Sequence, residues 1–390
     1  MTALARRSSS DIAPTDRAPL VFVSAGEPSG DDHAAVLVEA IRRREPKARF
    51  VGFGGEKLAA AGVELLEPLA ANPVMGFAKV LPAIGGFMRL LNGADRWFAR
   101  HRPDLLILID YPGFNVRLAQ LAKRRGVRVA YYICPQYWGW APWRARRFAK
   151  AVDLGLTLMP FEPAFLARFG VDARHVGHPI AERLDGLAPA DDSSRALALL
   201  PGSRGHEIEL LLDWQLSAAL EFGRRVGTLP PLVTTHPKPE RRAQIAAIAA
   251  HRDVPLEVRS QPLTELLPEC RAALVTSGTA TLECALLRVP SVIVYRLNGL
   301  MQRAVPYLLT SPHIGLPNLL SDRRLFPEHL AARDPSAAIG ADLESLWCDG
   351  PVRSATLAGL DALRAAIVKP GVADAAAEAI LALVSGPPAA

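Results

Sequence analysis

One rhythm governs what this chain can fold into: a short apolar run, a glycine-bearing turn, then a stretch of helical periodicity, repeated along most of its length. Leu20–Ala25 opens it, followed by a turn at 26–31 and a helix to about Arg44. Arg49–Phe53 closes on Gly54 and Gly55, and Leu105–Ile109 is an unbroken apolar run of the kind buried on both faces of a sheet. A helix over about 116–125 leads to strands at 128–133, 153–159 and 173–176. Strands alternating with helices predict a parallel sheet joined by right-handed crossovers. The polar stretch 185–194 (DGLAPADDSS) interrupts the rhythm, which restarts at Ala196–Leu200 and continues through Leu232–Thr235, Leu256–Arg259, 272–276 and 291–295. The expected organisation is a disordered tail over 1–18, a first domain over 19–184 and a second over 195–365. A C-terminal helix over 366–390 is free to pack back on the first domain. With 390 residues, half of them apolar, both domains have material for a core, and the fold class is α/β with two Rossmann-like halves facing a cleft.

Charge narrows the partners without choosing one. The net charge of +6 suits an anionic partner, whether nucleic acid, anionic lipid or a phosphorylated metabolite. Arg42–Arg44 and Lys123–Arg125 read as solvated helix faces. Cys134, Cys270, Cys284 and Cys348 are far apart, form no metal-binding spacing and read as buried thiols in a reducing compartment. The N-terminal residues hold no apolar core of a secretory signal, and proline breaks the uncharged runs at 129–143 and 304–321, so membrane contact is expected at the surface only.

Chemistry is expected where strands meet helices. In 272–285 (AALVTSGTATLECA) an apolar strand runs into Ser277, Gly278 and Thr279 and a helix begins at once, an arrangement suited to a diphosphate. Glu283 lies one turn further in, placed for ribose hydroxyls; an ordinary capped helix with a first-turn carboxylate fits the same residues. Arg204 follows the strand–turn Leu199-Leu200-Pro201-Gly202-Ser203, where its planar fork can meet phosphate. In the first half, Gly26, Glu27, Ser29, Gly30 and Asp31 form the first strand–helix turn, without the GxGxxG spacing of a dinucleotide site. Asp110 follows a buried strand, poised to take a proton, with a structural role as helix cap or acceptor of turn amides as the rival reading. Tyr137, Trp138, Trp140 and Trp143, followed by Arg144, Arg146 and Arg147, suit single-stranded nucleic acid, a sugar face, a lipid interface or plain packing. The segment 73–98 mixes large apolar residues with Lys79, Arg89 and Arg96 around a break at Gly85-Gly86 and suits an interfacial or acyl-binding element, or core.

Taken in order, these stretches resemble the lipid-A-disaccharide synthases, inverting glycosyltransferases of the GT-B fold. The resemblance covers nearly the whole chain after the tail, through SAGEPSGD (24–31), RFVGFGG (49–55), PVMGFAKVL (73–81), IDYPGFN (109–115) and CPQYWGW (134–140). It continues through PFEPAF (160–165), GHPI (177–180), LLPGSRGHEI (199–208), TSGTATLE (276–283) and LPNLL (316–320). It implies transfer of 2,3-diacylglucosamine from UDP to the 6-hydroxyl of 2,3-diacylglucosamine 1-phosphate, with no metal or cofactor. It further implies Asp110 as general base and Glu27 and Ser29 on the acceptor side, with Gly30, Asn115 and Gln136 among the substrate contacts. Arg204, Ser277, Gly278, Thr279, Glu283 and Asn318 fall on the UDP side. The 73–98 segment matches the family's membrane-facing element, which places the protein in the cytoplasm on the inner-membrane surface, as monomer or homodimer, without nucleic acid. Pro28 and Gly139 depart from the family's usual alanines, and the glutamine expected just after Glu328 is missing. The alternatives are another UDP-sugar GT-B enzyme, such as a UDP-GlcNAc 2-epimerase or a peptidoglycan glycosyltransferase, a noncatalytic relative that binds lipid or nucleotide, and a nucleic-acid binder, which the acidic turn at Glu27 and Asp31 disfavours.

Overall fold

The computed structural model describes residues 18–70, 80–184, 186–191, 193–297 and 313–385. The expected tail, except for its last residue, therefore lies outside the described residues, as do residues 73–79 of the apolar–basic segment and the final five positions.

Two parallel sheets organise the molecule. In the first, β1 (Leu20–Ala25), β2 (Arg49–Phe53), β3 (Glu64–Glu67), β4 (Leu105–Ile109), β5 (Arg128–Tyr132), β6 (Leu154–Thr157) and β7 (Asp172–His175) lie in the order β3-β2-β1-β4-β5-β6-β7. The second comprises β8 (Ala196–Leu200), β9 (Leu232–Thr235), β10 (Leu256–Arg259), β11 (Cys270–Thr276), β12 (Ser291–Arg296) and β13 (Glu328–Ala331), in the order β10-β9-β8-β11-β12-β13. The apolar runs become the central strands: β4 and β11 are buried along their whole length, because helices cover both faces. The order reverses between β1 and β4 in one sheet and between β8 and β11 in the other. In such sheets the crevice for ligands opens beyond the carboxyl ends of the strands flanking that switch.

Packing overrides the sequence in one helix. Val80–His101 is continuous through Gly85-Gly86, where a break is expected. Leu91, Ala94 and Phe98 recur on one face and are buried, and Phe98 meets Phe22 edge-on at 5.0 Å. That apolar stripe outweighs about 1 kcal/mol of propensity lost per glycine. Cys348 is also a departure, exposed just after helix Ser336–Trp347, while Cys134, Cys270 and Cys284 are buried.

The two halves are tied twice. The short helix Ile180–Leu184 buries Ile180 and Leu184 in the core of the second half. Helix Val372–Ser385 returns to the first half, where Ala376, Ala377 and Ile380 join the cluster built on β1, β4 and helix Pro28–Arg44. Asp374 in its first turn pairs with Arg43 and Arg44 at the end of helix Pro28–Arg44, and Arg128 donates to the carbonyls of Leu383 and Val384 near its end. Each charge opposes the local end of a helix dipole.

Candidate active site

At the first switch point the chain leaves β4 in a rare conformation. Asp110 and Tyr111 both have positive φ, 46° and 51°, which non-glycine residues adopt only when their surroundings enforce it. The Asp110 amide donates to the Tyr132 carbonyl (3.1 Å), while its own carbonyl accepts from Asn115 Nδ2 (2.8 Å) and the Tyr131 hydroxyl (2.5 Å). Asn115 is fully buried and fastens both turns: it donates to the carbonyls of Ile109 and Ser24 and accepts from the Ser24 hydroxyl at 2.8 Å. Its side chain is thus spent on the backbone that carries Asp110. Gly26 has a matching task, since a Cβ there would lie 2.1 Å from the Tyr111 ring. The Tyr111 ring also stacks on Phe87 of helix Val80–His101.

The Asp110 carboxyl is raised to about 6, first by burial and then by the charge of Glu27, against the Tyr111 amide that hydrogen-bonds it. Burial thus tunes the Asp110 carboxyl toward neutrality, the direction a proton acceptor needs. Ser29 is exposed and Gly30 buried at the start of helix Pro28–Arg44. Asp31 turns away, its carboxylate taking the Gly55 (2.6 Å) and Lys57 (2.9 Å) amides. Gln136 is exposed ahead of the short helix Tyr137–Trp140. The aromatic loop divides: Tyr137 is buried and Trp138 donates to buried Glu162 at 2.9 Å, whereas Trp143, Arg144, Arg146 and Arg147 are exposed.

The second switch point is built from the turns after β8 and β11. Gly202 has φ 114°, and a side chain there would strike Glu207. Glu207 takes the amides of Ser203 and Arg204 and the Arg204 guanidinium, each at 3.1 Å. The Arg204 side chain, beyond the carboxyl end of β8, is two-thirds exposed and restrained by a surface pair worth little by itself. Gly278 (φ 153°) precedes helix Thr279–Leu286, and both Gly278 and Thr279 are exposed; Ser277 donates weakly to the Ile314 carbonyl (3.4 Å). Asn318 is fully buried, bonded to the Phe326 backbone in both directions and to Glu328 (2.7 Å), which also takes the Ile314 and Gly315 amides. Like Asn115, it secures a turn beside the cleft.

Glu283 is buried, which raises its carboxyl, while Arg183 opposes that shift through a 2.8 Å bond. The sequence assigns no role to Arg183, and nothing local marks it, since its partner lies 100 residues away. Arg183 also lines a cavity of about 580 Å³ with Ser29, His33, Lys57, Tyr132 and Glu182. Behind it, His178 of the GHPI stretch is driven down to about 3, by burial first and then by His33 and Arg183; its Nδ1 accepts from the Ile180 amide at 3.2 Å. Among the described residues, no group of three or more His, Cys, Asp or Glu is placed to hold a metal ion.

The family model described as lipid-A-disaccharide synthetase matches residues 21–348. The lipid-A-disaccharide synthase of Myxococcus xanthus (strain DK1622) is 37% identical, across 94% of this chain and 98% of that protein. That of Anaeromyxobacter sp. (strain K) is 37% identical, across 93% and 96%. The chain belongs to the lipid-A-disaccharide synthase family. It is accordingly a glycosyltransferase, and the family's reaction joins two diacylglucosamine units with release of UDP. Solved structures agree on the fold. CalG4, the calicheamicin glycosyltransferase, superposes with a TM-score of 0.60 at 16% identity, over 95% of this chain and 100% of that one. The S. aureus MnaA–UDP co-structure gives 0.63 at 11%, over 96% and 99%. The fold is therefore GT-B. Glycosyltransferases and UDP-GlcNAc 2-epimerases both appear among these neighbours, so architecture does not separate those activities; the full-length sequence relatives do.

Proposed function

We propose that this lipid-A-disaccharide synthase divides its reaction between the two switch points, acceptor on the first sheet and UDP-sugar on the second. The observation that carries the division is a half-buried carboxyl at about 6, Asp110, at the first switch point, and an exposed arginine and helix-start turn at the second. Asp110 takes the proton of the acceptor 6-hydroxyl as its oxygen attacks the anomeric carbon. The anomeric carbon–oxygen bond to UDP breaks, the new glycosidic bond forms with inversion, and UDP leaves with the bonding pair. Its growing charge meets Arg204 and the amides at Gly278 and Thr279. Glu283 accepts the ribose hydroxyls, and Ser277 completes the donor side. Glu27, Ser29, Gly30 and Gln136 line the acceptor side, while Asn115 and Asn318 act by holding their turns.

Membrane docking belongs to the same reading. Helix Val80–His101 buries one face against the first sheet and exposes Met88 and Arg89 beside Phe87, which touches Tyr111. An exposed apolar side chain beside a cation suits the cytoplasmic leaflet of the inner membrane, from which diacylated substrates would enter.

The deciding experiment follows disaccharide 1-phosphate by mass spectrometry with UDP-2,3-diacylglucosamine and 2,3-diacylglucosamine 1-phosphate as substrates. Asp110→Asn should lower turnover by about a hundredfold or more with UDP affinity kept; retained turnover would reduce Asp110 to a structural residue. In the same preparation, Met88→Asp should weaken co-sedimentation with anionic vesicles, and unchanged sedimentation would remove this helix from the docking surface.

A further inference from the structure

We infer that Arg183 is a positioning residue of the donor site, holding one oxygen of Glu283 so that the other faces the ribose. The inference rests on the assignment of Glu283 to the ribose and adds a residue to it. Glu283 sits one turn into helix Thr279–Leu286 with 8% of its side chain exposed, and its Oε1 accepts from Arg183 Nη2 at 2.8 Å. An unpaired carboxylate at that depth is costly to keep ionised. Among the described residues its Oε2 takes no protein donor, and it is not sealed from solvent. The pair is asymmetric: the Arg183 side chain is 53% exposed and has no need of a partner, so the contact serves the carboxylate.

Arg183 is aimed by its neighbours. Ile180 and Leu184, on the same short helix, are buried in the second half's core. Glu182 is held by the Ala373 amide at 2.8 Å, where the C-terminal helix begins. With one side fixed in the core and the other at the crossover, Arg183 has Glu283 in front of it and the cavity containing Ser29 and His33 beside it. It therefore stands where seating of the two halves and seating of the ribose meet.

A double-mutant cycle in the full-length protein tests this, using UDP itself as the probe in calorimetry, with donor KM and kcat measured in parallel. R183A should weaken UDP about tenfold, the loss of one charge-assisted hydrogen bond, and raise donor KM while kcat changes little. R183K, which keeps a cation on Oε1, should recover most of the affinity. R183A/E283Q should bind UDP no more weakly than E283Q alone. Should R183A not fold, R183M, which keeps the apolar stem, takes its place in the cycle. Unchanged UDP affinity in R183A, or additive losses in the double variant, would overturn the inference while leaving Glu283 at the ribose. Unchanged affinity in E283Q would overturn the donor-side assignment as well.

Discussion

At the scale of single residues, the most testable consequence is the acidity of Asp110. The proposed base must be ionised to act, so with its carboxyl at about 6 the rate should be full above neutrality and fall about tenfold per pH unit below 6. Burial is the larger cause and the Glu27 charge the second. Glu27→Gln should therefore move the acid limb of the pH–rate profile to lower pH, even as it weakens acceptor binding; an unmoved limb would separate the two carboxylates. The same shift has a stability sign. A carboxyl raised on folding contributes stability that is complete below the ordinary carboxylate range and lost as pH rises through about 6. At neutral pH the ionised group is a burden, so Asp110→Asn should raise the melting temperature by a few degrees, on the order of 1–2 kcal/mol, while abolishing most turnover. Calorimetry at pH 7 and pH 4.5 checks this, since the gain should shrink in acid. The candidates Asp110 and the Ser277-Gly278-Thr279 turn stand out in the sequence because each directly follows an apolar strand, and Arg204 because it closes the short turn after one. Asn115 and Asn318 lie in the matched motifs, but only the fold shows that their side chains are taken up by backbone groups together with Ser24 and Glu328. Arg183 was not legible, because a pair spanning 100 positions leaves no local pattern.

At the scale of elements, what the sequence hides is set by burial. Central strands such as β4 (LLILI) are continuous apolar runs and were readable. The strands missed, β3 (ELLE) and β13 (EHLA), lie at sheet edges with polar or half-exposed side chains, so no apolar run marks them. Helix Val80–His101 was obscured by glycines that break local propensity without breaking the buried stripe. Gly93 lies within it, exposed, and an added Cβ would meet nothing within 4 Å. Gly93→Ala should therefore stabilise the first half by about 1 kcal/mol, through helix propensity and a less disordered unfolded chain. A higher urea midpoint with an unchanged slope would confirm it; destabilisation would show that the glycine makes room for a contact in the working protein.

At the scale of the molecule, a single chain must hold two separately cored halves in register around one cleft. Its two ties act differently. The crossover helix Ile180–Leu184 puts its apolar side chains into the second core, whereas helix Val372–Ser385 puts its own into the first. Helix Val372–Ser385 is thus part of the first half's interior, and nothing in its alanine-rich sequence names the partner surface. Ile380 is fully buried there. Truncation to alanine removes its packing and leaves a cavity, a loss of about 2–5 kcal/mol by comparison with other buried large-to-small changes. That loss should fall on the first half alone, because the core around Glu283 and the β8 and β11 turns contains no residue of this helix. Ile380→Ala should thus lower the urea midpoint of the first half while UDP binds the native protein with unchanged affinity. Were UDP affinity to fall in step with stability, the C-terminal helix would be fastening the donor site too, and the two halves would behave as one cooperative unit.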